Sequence, residues 1–168
     1  MNRPKPVLNV ADAKLMDVGG ADGAFAAKIG RIGAAIGSTG IGCMYTVVPP
    51  GKKAFPFHVH HATNELFVIL EGTGQYRFGD ETHPVKAGDV LAAPAGKGRA
   101  LAHQIVNDGT VDLKYLGISD RHDTDAVEYP DSGKFAVLSR FDWTKPAEGG
   151  LRFVGRADSA VDYYDGEK

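Results

Sequence analysis

Short runs of β-forming residues, separated by glycine and proline turns, dominate the middle of the chain. The strongest run is Glu65–Glu71 (ELFVILE), which has apolar residues on both faces of the predicted strand. Glu65 shares one face with Phe67 and Ile69, and the intervening residues share the other. Such a strand is covered on both sides, by a barrel interior on one side and by the N-terminal segment or a second subunit on the other. We therefore expect a homodimer.

The same kind of pattern recurs along the chain and predicts an all-β fold, since regular strand and turn signals favour a sandwich or barrel. Segments 75–79 and 81–85 flank Gly79-Asp80 as a predicted hairpin. Segment 7–10 is predicted as a short strand, 11–16 as a helical turn and 34–42 as a loop. The other strands are predicted at 24–32, 43–48, 55–61, Val90–Ala93, 101–106 and 111–118, with 127–129 and 135–141 as strands outside the main barrel and 120–125 as a polar loop.

Alternation in segment 55–61 sorts its histidines by face. Residues two apart in a strand share a face, so His58 and His60 point one way and His61 the other. His61 is a reserve metal ligand only if a bulge shifts the strand. His83 and His122 are predicted to lie on the surface.

Four residues are candidate metal ligands: His58, His60, Glu65 and His103. A His-x-His pair alone is weak evidence, because exposed strands often carry histidine. Glu65 follows after a short turn, and the three residues then form a two-histidine, one-carboxylate set of the type that holds Fe(II) with open positions. His103, on another predicted strand, is the fourth ligand. One divalent transition metal is expected, and the ligand set leaves Fe, Mn, Zn, Ni, Co and Cu open.

The spacing of these residues resembles the two signatures of the cupin superfamily. The first is matched by Gly51, His58, His60, Glu65 and Gly72, and the second by Gly88, Pro94, Gly96, His103 and Asn107. Six residues separate Gly51 from His58, and six separate Gly96 from His103; the family usually has five and two. The resemblance implies a double-stranded β-helix (jelly-roll) barrel with the metal held by the three histidines and the glutamate. One domain, 1–168, would comprise a core barrel at about 40–118 and extensions 1–39 and 119–168 packed on it.

Two further segments, 128–134 (EYPDSGK) and 162–167 (DYYDGE), resemble a bacterial cupin subgroup. Some members of that subgroup carry a sugar-phosphate isomerase label. The resemblance therefore implies a metal-dependent enzyme on a small molecule, which would polarise a carbonyl for isomerisation or activate oxygen as a dioxygenase. The alternative is a non-catalytic binding protein whose metal is structural or holds a ligand, because this fold hosts many activities.

The sequence singles out no catalytic residue. Tyr45 and Tyr76 are candidates for a general base only because they lie on predicted barrel strands. Lys97 and Arg99, in the loop before His103, are candidates for contacting an anionic substrate. The alternative for this pair is a solvated loop.

Composition adds few restrictions. The 168 residues suit one domain, with 43% hydrophobic and 24% charged residues. A net charge of −2 with both signs interspersed gives no indication of a nucleic-acid or membrane partner. Cys43 is the single cysteine, so an internal disulfide is excluded, and it is predicted to be a small packed residue. The N-terminus shows no signal-peptide pattern, and we expect a cytoplasmic protein.

Overall fold

Antiparallel strands make up most of the computed structural model, which describes residues 5–141 and 149–168. Residues 1–4 and 142–148, which belong to the predicted extensions, lie outside the described residues. The strands are β1 (Met16–Gly19), β2 (Ala26–Gly30), β3 (Ile41–Val48), β4 (Val59–His60), β5 (Glu65–Glu71), β6 (Thr73–Phe78), β7 (Glu81–Lys86), β8 (Val90–Ala93), β9 (His103–Val106), β10 (Leu113–Asp120), β11 (Thr124–Tyr129), β12 (Lys134–Ser139) and β13 (Leu151–Arg156). A one-turn helix, α1, spans Ile32–Ala35, and short 3-10 turns span Val10–Asp12, Arg99–Leu101 and Ala157–Ser159.

The strands form two facing layers. One layer is a six-stranded sheet in the order β1-β2-β3-β10-β5-β8. The other layer contains the sheets β13-β12-β11-β4 and β7-β6-β9. These two sheets are joined where the N–H of His58 donates to the carbonyl of His103 at 3.1 Å and the N–H of His103 donates back at 2.8 Å. The arrangement is the predicted double-stranded β-helix.

Buried apolar side chains from both layers form the main core between them, and a smaller cluster contains Phe57, Val59 and Ala102. The alternation predicted for β5 is confirmed, because Phe67 and Ile69 are buried while Leu66 and Leu70 are each 39% exposed. Other members of the core are Val48, Tyr76, Val85, Leu91, Ile105, Leu113 and Tyr115. The outer face of β5 therefore remains partly open to solvent in the part of the chain that the structure describes.

A tight glycine turn connects the two layers after β5. Gly72 has a φ of 84°, and a Cβ at this position would lie 2.6 Å from the carbonyl oxygen of Asp112. Both the left-handed backbone and the close approach exclude a side chain here. The hairpin β6–β7 that follows confirms the prediction made for residues 75–85.

Near the N-terminus one local prediction is wrong and a second, the loop, is confirmed only for residues 36–40. The segment predicted as a strand at 7–10 instead leads into the 3-10 turn Val10–Asp12, because the side chain of Asn9 accepts a hydrogen bond from the N–H of Ala11. The first strand is Met16–Gly19. The predicted loop at 34–42 overlaps the end of the short helix Ile32–Ala35.

Strand β11 is part of the barrel layer, which corrects its predicted place outside the barrel. Val127 pairs with His60, and Glu128 pairs with Val59. Val127 is only 3% exposed, so β11 is tied into the interior. The pairing satisfies backbone groups along the edge of the two-residue strand β4, which would be costly to leave unpaired where they are buried. Among the described residues, none of the helices is long and apolar enough to cross a bilayer.

Candidate metal centre

Glu65 and three histidines converge on one point between the layers. Glu65 is the first residue of β5 in the six-stranded sheet, whereas the histidines come from the facing layer. The Nε2 atoms of His58, His60 and His103 lie 3.9, 3.7 and 3.1 Å from Oε2 of Glu65. The structure therefore brings all four predicted ligands together around a single carboxylate oxygen.

Hydrogen bonds on the far side of two rings determine which nitrogen faces the cluster. Nδ1 of His58 lies 2.8 Å from the carbonyl oxygen of Pro56, and Nδ1 of His60 lies 2.6 Å from Oδ2 of Asp125. A carbonyl and a carboxylate can only accept, so each Nδ1 carries the proton and donates it. The Nε2 lone pairs of both rings are left facing Glu65, which is the orientation that a metal requires.

Several polar atoms at the centre are buried without an internal hydrogen bond. Within the described residues, Oε2 of Glu65 and both ring nitrogens of His103 have no such partner. Buried polar atoms normally have one, so Oε2 of Glu65 and Nε2 of His103, which face each other at 3.1 Å, call for a ligand. Two ligand atoms at right angles, each about 2.1 Å from a metal, are about 3 Å apart. The His103 separation of 3.1 Å is close to that value, and the His58 and His60 separations of 3.9 and 3.7 Å lie between it and the separation of about 4.2 Å between two ligands on opposite sides of a metal. The residues therefore fit a transition metal.

The charge states of the cluster follow from burial and from its neighbours. Burial, together with the nearby His103, lowers the pKa of His58 to about 3, so this ring is neutral. Burial disfavours a charged His60, but the hydrogen bond to Asp125 outweighs it and raises the pKa of His60. Burial would raise the pKa of Glu65, but contact with His103 and the other histidines outweighs this effect and lowers it. The glutamate is therefore an anion facing imidazole nitrogens.

Asp125 is a functional residue that the sequence reasoning missed. It is 7% exposed, and its other oxygen accepts from the N–H of Ala62 at 2.9 Å. Burial opposes its ionisation, but the hydrogen bond from His60 outweighs burial and lowers the pKa of Asp125 to about 2. The segment was predicted as a polar loop, and the available signal was that Asp125 and Val127 are two apart and so share one face of a strand.

The remaining histidines lie away from the cluster. His61 points to the other face, as predicted, and its Nε2 lies 2.6 Å from Oε1 of Glu128. His83 and His122 have side chains that are 53% and 42% exposed. Their predicted surface positions are confirmed.

Lys97 and Arg99 are not brought to the cluster. The side chain of Lys97 is exposed. Arg99 contacts Asp80 at 2.8 Å and Asp131 at 3.2 Å, and its guanidinium lies over the ring of Phe57. Phe57 and His58 are neighbours on an extended segment and face opposite sides. A substrate role for this pair stays a prediction, and Arg99 would have to leave two carboxylates to fulfil it.

The two tyrosines proposed as bases are placed differently. Tyr76 is buried, and its hydroxyl donates to the carbonyl of Ala92 at 2.8 Å. Burial and the charge of Glu65 raise the pKa of Tyr76, so it stays protonated. Tyr45 adjoins Thr46 on β3, and Thr46 pairs with Tyr115, whose ring packs against Phe67 in the core. Tyr45 therefore lies on the face of β3 opposite the metal cluster, although it is buried, with 9% of its surface exposed.

Together, the fold and the cluster define a small double-stranded β-helix barrel with a histidine–glutamate ligand set inside it. Residues 44–119 match the family model of the cupin domain. The barrel of this chain thus belongs to the cupin superfamily.

Known proteins similar to this chain support the same assignment. The oxalate-binding protein of Thermotoga maritima is 34% identical over 71 residues, which cover 42% of this chain and 54% of that protein. The chain therefore spans about half the length of this relative. A crystal structure from Acidithiobacillus ferrooxidans, proposed to be a sugar phosphate isomerase, has a TM-score of 0.77, with 24% identity over 94% of this chain and 96% of that one. A sugar phosphate isomerase from a cupin superfamily in Silicibacter pomeroyi has a TM-score of 0.76, with 24% identity over 95% and 98% of the two chains. At these identities the two structures show the fold alone.

Proposed function

We propose that the chain binds one divalent transition metal through His58, His60, Glu65 and His103 and acts with it on a small molecule. The observation that supports this proposal is the convergence of three Nε2 atoms, within 3.9 Å, on one buried carboxylate oxygen. Three imidazoles and one carboxylate suit Fe, Mn, Zn, Ni, Co or Cu, and leave coordination positions open in a six-coordinate ion.

The chemistry at such a site is divided between the metal and the protein. A bound metal would polarise a carbonyl, as an isomerase requires, or activate oxygen, as a dioxygenase requires. The chain's own residues hold the ligands in place: Pro56 and Asp125 orient two imidazoles, and the surrounding apolar core excludes bulk water.

Two functions are compatible with such a metal site. The first is a metal-dependent enzyme, either an isomerase-like enzyme acting on a sugar phosphate or a dioxygenase; the names of the two structural neighbours suggest the isomerase. The second is a non-catalytic protein that holds a small ligand on the metal, as the name of the oxalate-binding relative suggests. The hydrogen bond from the Tyr76 hydroxyl to the carbonyl of Ala92 favours the non-catalytic binding protein, because it removes one candidate for a general base.

Metal analysis of protein purified without added metal tests the proposal. We expect about one equivalent of metal per chain, retained by His83→Gln and lost from Glu65→Gln and His103→Gln. His83 is a matched control because its side chain is 53% exposed and outside the cluster. Wild-type protein that takes up no metal from a panel of the six ions would refute the proposal.

The bound metal and its chemistry then separate the two functions. Iron with ligand-dependent oxygen uptake supports a dioxygenase, whereas manganese or zinc with turnover of phosphosugars supports an isomerase. Metal that raises the unfolding temperature without turnover on either panel supports the binding protein. We also propose a cytoplasmic homodimer, which is in keeping with one cysteine and with the partly exposed apolar face of β5.

A further inference from the structure

A cavity of about 210 Å³ opens at the end of the barrel where Glu65 lies. Two arginines from separate parts of the chain, Arg31 and Arg121, line it together with Glu65. We propose that this cavity is the entrance for the small molecule and that the molecule is a compact anion, held by the two guanidinium groups while its other end reaches the metal. This inference rests on the proposed function, because it names the ligand class of the same site.

The cavity is continuous with the interior of the barrel. Ser119 pairs with both Glu65 and Gly42, and Gly117 pairs with Met44 and Phe67. Residues paired across neighbouring strands share a face, so the wall of the cavity is the same interior face that carries Glu65. A ligand in the cavity therefore lies against a metal ligand.

Two glycines keep this wall open. A Cβ at Gly117 would lie 3.3 Å from the ring of Phe67, and one at Gly42 would lie 2.5 Å from the hydroxyl oxygen of Ser119. Larger residues at these positions would fill the entrance. By contrast, the space deeper in the core, beside His58 and His103, is a cavity of about 20 Å³, which is room for about one water molecule. The cavity beside Arg31 and Arg121 therefore offers a ligand more room than the space beside the histidines.

The charges that line the entrance select an anion. Arg31 precedes α1 and Arg121 follows β10, so two separate elements each bring an arginine to the wall of the cavity. Among the described residues that line the cavity, Glu65 is the only acid, and its Oε2 faces the histidines. Asp120 lies on the opposite face of β10 from Ser119, where both its oxygens accept hydrogen bonds from Asn64. Guanidinium groups bind carboxylate and phosphate oxygens in pairs, and a metal cation adds to the attraction.

The size of the cavity limits the anion. Its volume corresponds to about seven water molecules at about 30 Å³ each, which suits a few-carbon acid or a phosphate ester. The shared chemistry is a compact dianion with two acceptor oxygens at one end. Carboxylate and phosphate both meet this description, and the experiment distinguishes them.

The test uses the full chain loaded with Zn²⁺ and three probes: malonate, inorganic phosphate and the neutral malonamide. Titration calorimetry gives the affinities, and the backbone amide signals of Gly42, Gly117 and Ser119 report the place of binding. We expect malonate or phosphate, and not malonamide, to shift these signals. Arg121→Gln and Arg31→Gln should each weaken anion binding at least about tenfold, with unchanged zinc content. Arg99→Gln, the matched control outside the cavity, should change the affinity for the anion less than about twofold.

Opposite results would overturn the inference. It fails if malonamide binds as tightly as malonate, or if Arg121→Gln and the charge reversal Arg121→Glu bind both anions like the wild type. Arg121 is exposed, so these variants keep the test valid even if Arg31→Gln does not fold. If the chain binds no metal, the proposed function fails separately. In that case malonate and phosphate are added to the metal-free protein. If the same amide signals do not shift, the arginines do not bind an anion.

Discussion

The Nδ1 atom of His60 lies 2.6 Å from Oδ2 of Asp125, and the two residues are 65 positions apart in the chain. The contact joins β4 to β11, which pair through the backbone of His60 and Val127. A strand from beyond the family-matched residues 44–119 therefore positions one of the ligands. The C-terminal part of the chain thus contributes directly to the candidate metal centre.

Asp125→Asn should weaken metal binding by about 10- to 100-fold. An asparagine can present its amide nitrogen to Nδ1 of His60, and the ring then loses the carboxylate that holds the proton on that atom. Chelator competition measures the affinity, and Asp123→Asn, an exposed neighbour, is the control. Equal affinities of wild type and Asp125→Asn would show that Asp125 does not orient the ligand.

Alternation along single strands was sufficient to predict much of the candidate site. It separated His58 and His60 from His61, and it placed Glu65 on the interior face of β5. These predictions succeed because a strand fixes the faces of its own residues. Asp125 was missed because its position depends on pairing between β4 and β11, which no local pattern encodes.

The positions of the basic residues also could not be predicted from local sequence patterns. Lys97 and Arg99 are near His103 in sequence, yet the extended chain places Arg99 beside Phe57, on the face opposite His58. Arg31 and Arg121 are distant in sequence from the ligands, but the pairing of β3, β10 and β5 brings them to the same cavity as Glu65. Proximity in sequence was therefore a poor guide to which cations face the interior.

Asn107→Ala should lower the free energy of unfolding by about 2–3 kcal/mol. Asn107 is fully buried, and its amide donates to the carbonyls of Val48 at 2.7 Å and Val111 at 2.8 Å. Removal of the side chain would leave both carbonyls without that partner. Urea denaturation measures the change, with the exposed Asp108→Ala as the control. A loss no larger than the control would contradict this role for Asn107.

Tyr76→Phe should leave metal affinity unchanged and lower the free energy of unfolding by about 0.5–1.5 kcal/mol. The substitution removes one hydrogen bond, from the Tyr76 hydroxyl to Ala92, and keeps the ring in the core. Chelator competition and urea denaturation give the two values. If a substrate is found, a large loss of turnover in Tyr76→Phe would restore this residue as an acid or base.

Arg77→Gln should destabilise the protein more at about pH 7 than at about pH 3. Arg77 contacts both oxygens of Asp131, at 2.6 and 2.8 Å, and these bonds lower the pKa of Asp131. A lowered pKa stabilises the fold above the ordinary pKa of aspartate, and the contribution disappears as acid protonates Asp131. The effect should be small and salt-sensitive, because the side chain of Asp131 is 48% exposed.

The same substitution in an Asp131→Asn background provides the control for this pH effect. In this background Arg77→Gln should destabilise the protein equally at about pH 7 and about pH 3, because the carboxylate that titrates is absent. What remains is the packing of the Arg77 guanidinium over the ring of Phe57, 3.7 Å from its centre. A pH dependence that persists in this background would assign the effect to another acid.

Val90→Glu should convert the proposed homodimer into a monomer. Leu66 and Leu70 on the outer face of β5 are each 39% exposed, and Val90 on the neighbouring edge strand β8 is 61% exposed. A contiguous apolar face of this kind is typical of a protein–protein contact, and a buried, unpaired carboxylate would oppose it. Sedimentation velocity over a range of concentrations measures the oligomeric state. Val111→Glu is the control, because that residue is 56% exposed and belongs to neither β5 nor β8. A wild-type chain that sediments as a monomer throughout, or a Val90→Glu variant that remains dimeric, would remove this face from consideration as the interface.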